Sequence, residues 1–310
     1  MKVITLTLSP AFDVHCHIAE FKTERENLAT VTSRDAGGKG INISRALSKN
    51  GIDNVAVAVL GKENANEFCD LALSEGIALR TVEVDGRIRE NITVHTDSAA
   101  ETRISFAGFG ANDSLLARVS CEIEGLLEED CVVTLTGRIP EGISFACVKS
   151  FAARLAARGV KLVIDSKSFS LEDLIECKPY LIKPNEEEIS EYFGIEIKTV
   201  DEAAKAAKKL HLAGIENAMI TLGGQGAVLA SRGGVLFASA PTVEVRSTIG
   251  AGDSTVAGFL AACAQGLSLQ DTLRLSVAYG SAACMTEGTQ APAPCDVARL
   301  YGACTVTRFE

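Results

Sequence analysis

The segment Ser247-Thr248-Ile249-Gly250-Ala251-Gly252-Asp253-Ser254-Thr255 decides how the rest of the chain is read. A run of small residues ends in an aspartate and leads into an apolar stretch, Val256 to Gln265, whose pattern predicts a helix. Two glycines let the backbone turn sharply, so that successive amides converge on one point. The helix start adds unpaired N–H groups and the positive end of its dipole, a combination that suits a phosphate. An aspartate at the lip of that anion hole only repels phosphate unless it acts chemically. Beside a substrate hydroxyl it takes the proton as oxygen attacks phosphorus. The competing reading makes Asp253 an ordinary helix cap on an ordinary glycine turn. The first reading makes the segment a phosphoryl-transfer site with Gly250, Ala251 and Gly252 as its anion hole.

Working outward, apolar runs of strand length recur at Val3–Leu8, Val55–Leu60, Val132–Thr136, Lys161–Ile164, Tyr180–Ile182 and Ala218–Thr221. Helical patterns separate them at Ile41–Asn50, Asn64–Glu75, Ser144–Arg158, Asp201–Ala213 and Leu269–Met285. Strands alternating with helices predict an α/β fold with a mostly parallel central sheet covered on both faces. Ligands on such sheets bind beyond the carboxyl ends of the strands, where the strand order reverses. Gly137-Arg138, Asp165, Lys183, Asn185 and Gly223-Gly224 all follow strands directly. Two segments, Val14–Asp35 and Arg89–Phe106, carry period-two patterns with no helix between their strands. They predict short β-ribbons projecting from the core, or edge hairpins with no further role. With no linker, repeat or low-complexity tract, the expectation is one domain over residues 1–310.

The 310 residues are 47% hydrophobic and 23% charged, a globular balance. No apolar run approaches the roughly 20 residues of a membrane helix. The amino terminus reads as a first strand stopping at Ser9-Pro10, not as a signal peptide. Ten cysteines without a C-x-x-C pair fit reduced thiols in a cytoplasmic protein. His15-Cys16-His17 invites a metal reading, but alternation puts Cys16 on the opposite strand face from the histidines. The net charge of −10 argues against nucleic acid and anionic membranes as partners. A phosphorylated substrate therefore requires a local cluster of basic residues.

Ala36-Gly37-Gly38-Lys39-Gly40-Ile41-Asn42 combines close backbone approach, a positive charge and a donor–acceptor amide, but lacks the spacing of a P-loop. Together with the Gly250–Asp253 segment it resembles the two signatures of the phosphofructokinase-B family of ribokinase-like carbohydrate kinases. The G-G-K-G form is that of its 1-phosphofructokinase and tagatose-6-phosphate kinase subgroup. Ser9-Pro10-Ala11-Phe12-Asp13 resembles the subgroup's N-P-A-x-D, and Gly86-Arg87-Ile88-Arg89-Glu90-Asn91 its G-x-T-R-x-N. The resemblance implies Asp253 as general base and Asp13, Gly37, Gly38, Lys39, Asn42 and Arg89 around the sugar phosphate. Arginine suits that task because its guanidinium forks onto phosphate. Pro184-Asn185-Glu186-Glu187-Glu188 resembles the family's N-x-x-E. It implies Glu188 as a magnesium ligand acting through water, although Asn185 and Glu188 also have the spacing of a capping box. Lys183, Asn185, Thr221, Gly223, Gly224, Gly226 and Gly252 are implied on the ATP side. The small-residue helix Val277–Cys284 would take the adenine or simply pack against a neighbour. The projecting strands are implied to form a lid over the sugar and a homodimer contact.

Two departures fall where the sugar or its phosphate is expected. Arg138 replaces a small serine in Thr136-Gly137-Arg138-Ile139-Pro140, and Thr102-Arg103-Ile104-Ser105 replaces T-E-x-N. Each adds positive charge. The resemblance thus implies an ATP- and Mg2+-dependent kinase acting on an anionic sugar, fructose 1-phosphate first and tagatose 6-phosphate next. A neutral sugar or nucleoside kinase would leave Lys39 and Arg89 without a phosphate. A non-catalytic sugar-phosphate sensor would leave Asp253 and the Asn185/Glu188 pair without a purpose.

Overall fold

The computed structural model describes residues 1–98 and 101–309. The chain begins with β1 (Lys2–Thr7), β2 (Ala11–Ile18) and β3 (Thr30–Gly37), then α1 (Lys39–Lys49), β4 (Asn54–Gly61), α2 (Ala65–Ser74) and β5 (Leu79–Val84). Next come β6 (Arg89–Thr96), β7 (Glu101–Ser105), α3 (Ser114–Glu124), β8 (Cys131–Thr136), α4 (Phe145–Ala157), β9 (Lys161–Asp165) and α5 (Leu171–Cys177). They are followed by β10 (Leu181–Ile182), α6 (Glu186–Phe193), α7 (Val200–Leu212), β11 (Asn217–Thr221), β12 (Gly226–Ser231) and β13 (Gly234–Ser239). The last elements are α8 (Ala251–Ala264), α9 (Leu269–Ala283), α10 (Pro294–Ala303) and β14 (Val306–Phe309).

Ten strands form one sheet in the order β5-β4-β1-β8-β9-β10-β11-β12-β13-β14. From β5 to β11 every pairing is parallel, and the remaining three are antiparallel. Parallel strands are apolar on both faces because helices cover both. Alternation shares their side chains between two cores. Ile4, Leu6, Val133 and Leu135 enter one core with Phe68 of α2 and Phe151 of α4. Val3, Val132 and Val163 enter the other with Leu47 of α1 and Phe259 of α8. α8 is buried continuously from Asp253 to Ala262, as expected of a helix apolar on all sides. Close packing of α8 on α9 requires Gly258 and Gly280, since a Cβ there would lie 2.8 Å from Leu275 O and 2.3 Å from Thr255 Oγ1.

The strand order reverses at β1, with β4 and β5 on one side and β8 onward on the other. This is the expected position for a ligand crevice. Above it stands a second, four-stranded sheet in the order β3-β2-β6-β7. The two expected ribbons are therefore joined, through the parallel pairing of β2 with β6. Of the expected ribbon 89–106, residues 99 and 100 lie outside the described residues. The small sheet begins at Ala11, earlier than expected, so Asp13 belongs to it. A register shift at His15/Cys16 interrupts β2. The two histidines take separate partners, His15 Nδ1 with His95 Nε2 at 3.0 Å and His17 Nε2 with Asp97 Oδ1 at 2.9 Å.

The helix expected from Val256 begins five residues earlier, at Ala251. Its glycine and aspartate read as loop by propensity, but Gly250 (φ 78°) turns the chain so that Ala251 can open the helix. Among the described residues no helix is long and apolar enough to cross a membrane, and all ten cysteines are free thiols.

Candidate active site

Two cavities meet over the carboxyl ends of the parallel strands. The larger, about 660 Å³, is walled by charged and polar groups from both sheets and from the start of α8. The other, about 460 Å³, is an apolar slot between Ala240, Pro241, Val243, Val245 and Val277, closed by Gly280 and Ser281 of α9 and by Cys284 just after it. Lys183, Asn185, Thr248 and Gly252 belong to both walls. A molecule seated in the slot would thus reach the polar cavity past a buried lysine and a helix start. Gly280 lines the slot while also packing on Thr255, so the small-residue stretch of α9 serves both purposes.

At that junction Ala251 N–H makes a long 3.4 Å bond to Thr248 O, and Ser254 N–H donates to Gly250 O at 2.8 Å. The amides of Gly252 and Asp253 lie in the first helical turn, where no intrahelical acceptor exists. Gly250 and Gly252 line the polar cavity, whereas Ala251 faces the slot. Of the three residues expected to form the anion hole, Gly252 lines both cavities. A side chain at Gly252 would place its Cβ 3.1 Å from Lys183 Nζ, so any larger residue would press on the lysine beside this amide.

Asp253 is 7% exposed, and its Oδ2 accepts 2.8 Å from Asn42 Nδ2 of α1. Burial pushes its carboxyl up to about 6; Lys39 opposes the rise, Asp165 adds to it, and the Asn42 bond and Lys183 oppose it. A carboxylate so tuned is a base at neutral pH that still accepts a proton readily. Lys39 Nζ lies 2.9 Å from Asp165 Oδ1 and Lys183 Nζ 3.8 Å from its Oδ2. Burial disfavours the Lys39 ammonium, but Asp165 and Asp253 together hold it above its ordinary range. The same two lysines overcome burial at Asp165 and hold its carboxyl below its ordinary range. Two lysines and two aspartates thus balance one another at this end of the cavity.

The opposite end is built from the small sheet. Asp13 Oδ1 accepts 2.8 Å from Asn91 Nδ2 and lies 3.9 Å from Arg103 Nη2. Arg89 Nη1 donates to Asn91 Oδ1 at 3.0 Å, while its buried Nε has no hydrogen-bond partner. Burial lowers the Arg89 pKa, Arg138 lowers it further, Asp13 opposes, and Arg103 lowers it again. Arg138 and Arg103 thus both press on the Arg89 guanidinium, and Asp13 opposes them. Gly37 does not line the cavity; it lies beneath Asp13, whose Oδ2 would clash with any Cβ there. Gly38 does line it, at φ 122°. Lys39, expected with Arg89 on the sugar's phosphate, lines the same cavity and is paired with Asp165 at its other end.

Beside the slot, Asn185 and Glu188 complete a capping box. Asn185 Oδ1 accepts from Glu188 N at 2.8 Å and Glu188 Oε2 from Asn185 N at 3.1 Å. The other oxygen, Oε1, faces Lys167 Nζ at 3.6 Å and the polar cavity. One carboxylate oxygen outside the capping box, held only by the exposed Lys167, fits a magnesium ion whose remaining ligands are water and phosphate. Thr221 ends β11 and meets Asn185 in a parallel bridge. Gly223, Gly224 and Gly226 form the turn into β12, so this stretch is a hairpin as well as a wall of the slot. A Cβ at Gly226 would fall on Ala238 O, which ties that glycine to the hairpin.

Asp165 stands out among the residues whose part was not read from sequence. The signal was its place at the end of a parallel strand, but its pairing with Lys39 spans 126 residues. Lys167, Thr248 and Thr289 also reach the cavity without a local pattern that marks them.

The model of the pfkB family carbohydrate kinases matches residues 12–296. The chain is 32% identical to the 1-phosphofructokinase of Bacillus subtilis over 92% of its length and 93% of that protein. It is also 32% identical to the 1-phosphofructokinase of Escherichia coli, over 91% and 90% of the two lengths. Among solved structures, phosphofructokinase-2 from Escherichia coli in complex with substrates and products superposes with a TM-score of 0.92 at 26% identity, covering 98% of this chain and 99% of that one. The ribokinase-like fold and the family signatures agree, and the chain belongs to the pfkB family of carbohydrate kinases, phosphotransferases that act on a sugar hydroxyl.

Proposed function

We propose that this kinase transfers the γ-phosphoryl group of ATP to fructose 1-phosphate, giving fructose 1,6-bisphosphate and ADP. The observation that carries the reading is the mutual repulsion of Arg89, Arg103 and Arg138, opposed by Asp13, in the cavity that also holds Asp253. In a protein of net charge −10, such a group is a focused site for an anion. The named relatives are 1-phosphofructokinases, which favours the ketose 1-phosphate.

In this reading the adenine enters the slot beside α9, and the triphosphate passes Lys183 and Asn185 to the Gly252 amide. Asp13 holds sugar hydroxyls and the arginines hold the phosphate already on the sugar. Asp253 takes the proton of the acceptor hydroxyl as that oxygen attacks, while Lys39, Lys183 and the helix start face the charge on the transferred group. Magnesium, when bound, neutralises phosphate charge, and Glu188 would hold it through water. The small sheet acts as a lid. ADP release with fructose 1-phosphate, fructose 6-phosphate and tagatose 6-phosphate tests the substrate, and a preference for either 6-phosphate would overturn it.

The strands and connecting segments of the small sheet leave Leu28 90% and Val31 60% exposed, and Phe21, Ile104 and Phe106 are exposed as well. An apolar patch of this kind marks a protein contact, and a homodimer through the lid in the cytoplasm is the reading it supports. Sedimentation equilibrium checks it, a 32.6 kDa species at all concentrations being the contrary result.

A further inference from the structure

Behind Asn42, away from the cavity, lies Arg45 of α1, a guanidinium 4% exposed that no step above uses. Its Nη1 donates to Asn42 Oδ1 at 2.7 Å and, weakly, to Thr289 O at 3.4 Å. Its Nη2 donates to Ala36 O, at the foot of the small sheet, and its Nε to Glu75 Oε2 of α2 at 2.7 Å. We propose that Arg45 is a positioning residue for phosphoryl transfer, which fixes the Asn42 amide so that it always donates to Asp253.

The reason is the chemistry of the two groups. A carboxamide has one accepting and one donating end, whereas a guanidinium only donates and stays charged. Arg45 therefore accepts no orientation of Asn42 except Oδ1 inward, and Nδ2 must then point at Asp253. In the reversed orientation an oxygen would face the carboxylate 2.8 Å away, and an NH2 group would face the guanidinium. With Oδ2 of Asp253 held by a donor, Oδ1 is the oxygen left for the acceptor hydroxyl. The other charged groups facing Asp253 are Lys39 from α1, Asp165 from the end of β9 and Lys183 after β10. None of these imposes a direction on Asn42. A second set repeats the arrangement, since Arg89 holds Asn91 Oδ1 and Asn91 Nδ2 meets Asp13. Glu75 balances the buried charge, and the bonds to Ala36 and Thr289 tie the base to the foot of the small sheet and to the loop after α9.

The inference rests on Asp253 being the base, and the experiment separates the two. The variants Arg45→Lys, Arg45→Gln and Arg45→Met are compared in kcat, in KM for ATP and in the acid limb of kcat/KM against pH. Lysine is also donor-only and should keep the limb near wild type, although it loses the fork of bonds. Glutamine presents either end, so Asn42 is released and the limb should move to higher pH. Arg45→Gln should lower kcat roughly tenfold to hundredfold, since small misplacements of a catalytic group have effects up to about 10². KM for ATP should stay within about twofold. In an Asn42→Leu background, Arg45→Gln should no longer move the limb, because the intermediary is gone. Should Arg45→Met fail to fold, the lysine–glutamine contrast still decides. A wild-type limb and kcat in Arg45→Gln, with Asp253→Asn inactive, overturns this inference alone. Near wild-type turnover in Asp253→Asn removes the base and the inference with it.

Discussion

Two aspartates face the same cavity, and each is held by an asparagine whose oxygen is taken by an arginine. At the transfer end, Arg45 is buried behind Asn42 and shares its donors among Glu75, Ala36 O and Thr289 O. At the sugar end, Arg89 stands in the cavity wall with Nε unpartnered and two further arginines beside it. The same three residue types therefore yield opposite devices. Where positive charge is matched by carboxylates, as with Lys39, Lys183, Asp165 and Asp253, the groups are arranged before any ligand arrives. Such preorganisation acts on the transition state. Where Arg103 and Arg138 press on Arg89, an incoming phosphate would relieve repulsion. That contact acts on binding in ground and transition states alike. The transfer end should govern kcat and the sugar end KM.

The strongest challenge to this division is Asp253→Asn, which keeps shape and removes the proton acceptor. Turnover should fall by ~10²–10⁴ while both ligands still bind, as steady-state kinetics and calorimetry would show. In the wild type, the carboxyl pushed up to about 6 should appear as an acid limb. The base is lost as pH falls through that value, so activity declines below it and not above. Wild-type kcat in the asparagine variant would leave Asp253 only the structural role of holding Asn42.

Asp165→Asn should have the next largest effect. It leaves Lys39 and Lys183 without their shared counter-ion, and kcat should fall by about tenfold or more. Because Asp165 raises the Asp253 pKa, its removal should move the acid limb to lower pH. That is the reverse of the movement expected for Arg45→Gln. A pH–rate profile shifting upward instead would show that Asp165 acts on something other than the charge balance.

Arg138→Ser sharpens the sugar end. Arg138 is exposed and contributes to the field at Arg89, so the change should lower kcat/KM for fructose 1-phosphate a few-fold to about tenfold, through KM. Unchanged or improved kinetics would make Arg138 a bystander. The smallest effect is expected from Glu188→Gln, which preserves the capping box and weakens only the free oxygen facing the cavity. The magnesium concentration giving half-maximal activity should rise, with KM for the sugar phosphate unchanged. An unmoved magnesium titration would leave Glu188 a helix cap alone.

What could be read from the sequence follows the range of the interactions. The glycine turn before Asp253 and the Asn185–Glu188 spacing are local, and both are legible in a few residues. The parallel core was legible too, because strands apolar on both faces alternate with amphipathic helices. The early start of α8 was not, since propensity disfavours Gly250-Ala251-Gly252-Asp253 as a helix and only the left-handed turn at Gly250 explains it. The antiparallel edge β12–β14 escaped notice because its short apolar runs have no distinctive period. At the site, Asn42–Asp253 joins residues 211 apart and Arg45–Thr289 residues 244 apart. Nothing in a single sequence states which lysine meets which aspartate. The Lys39–Asp165 pair, 126 residues apart, is one such meeting.

The division between the two ends is tested most directly by Arg89→Ala, assayed for ADP release with fructose 1-phosphate and with unphosphorylated fructose. Losing a charge-assisted fork onto phosphate should lower the preference for the phosphorylated sugar by roughly tenfold to hundredfold. The loss should lie in KM for the sugar phosphate, with kcat and KM for ATP within about twofold of wild type. An unchanged preference, with KM unmoved for every sugar phosphate, would contradict the anion-binding role of this end and make a neutral sugar the better substrate.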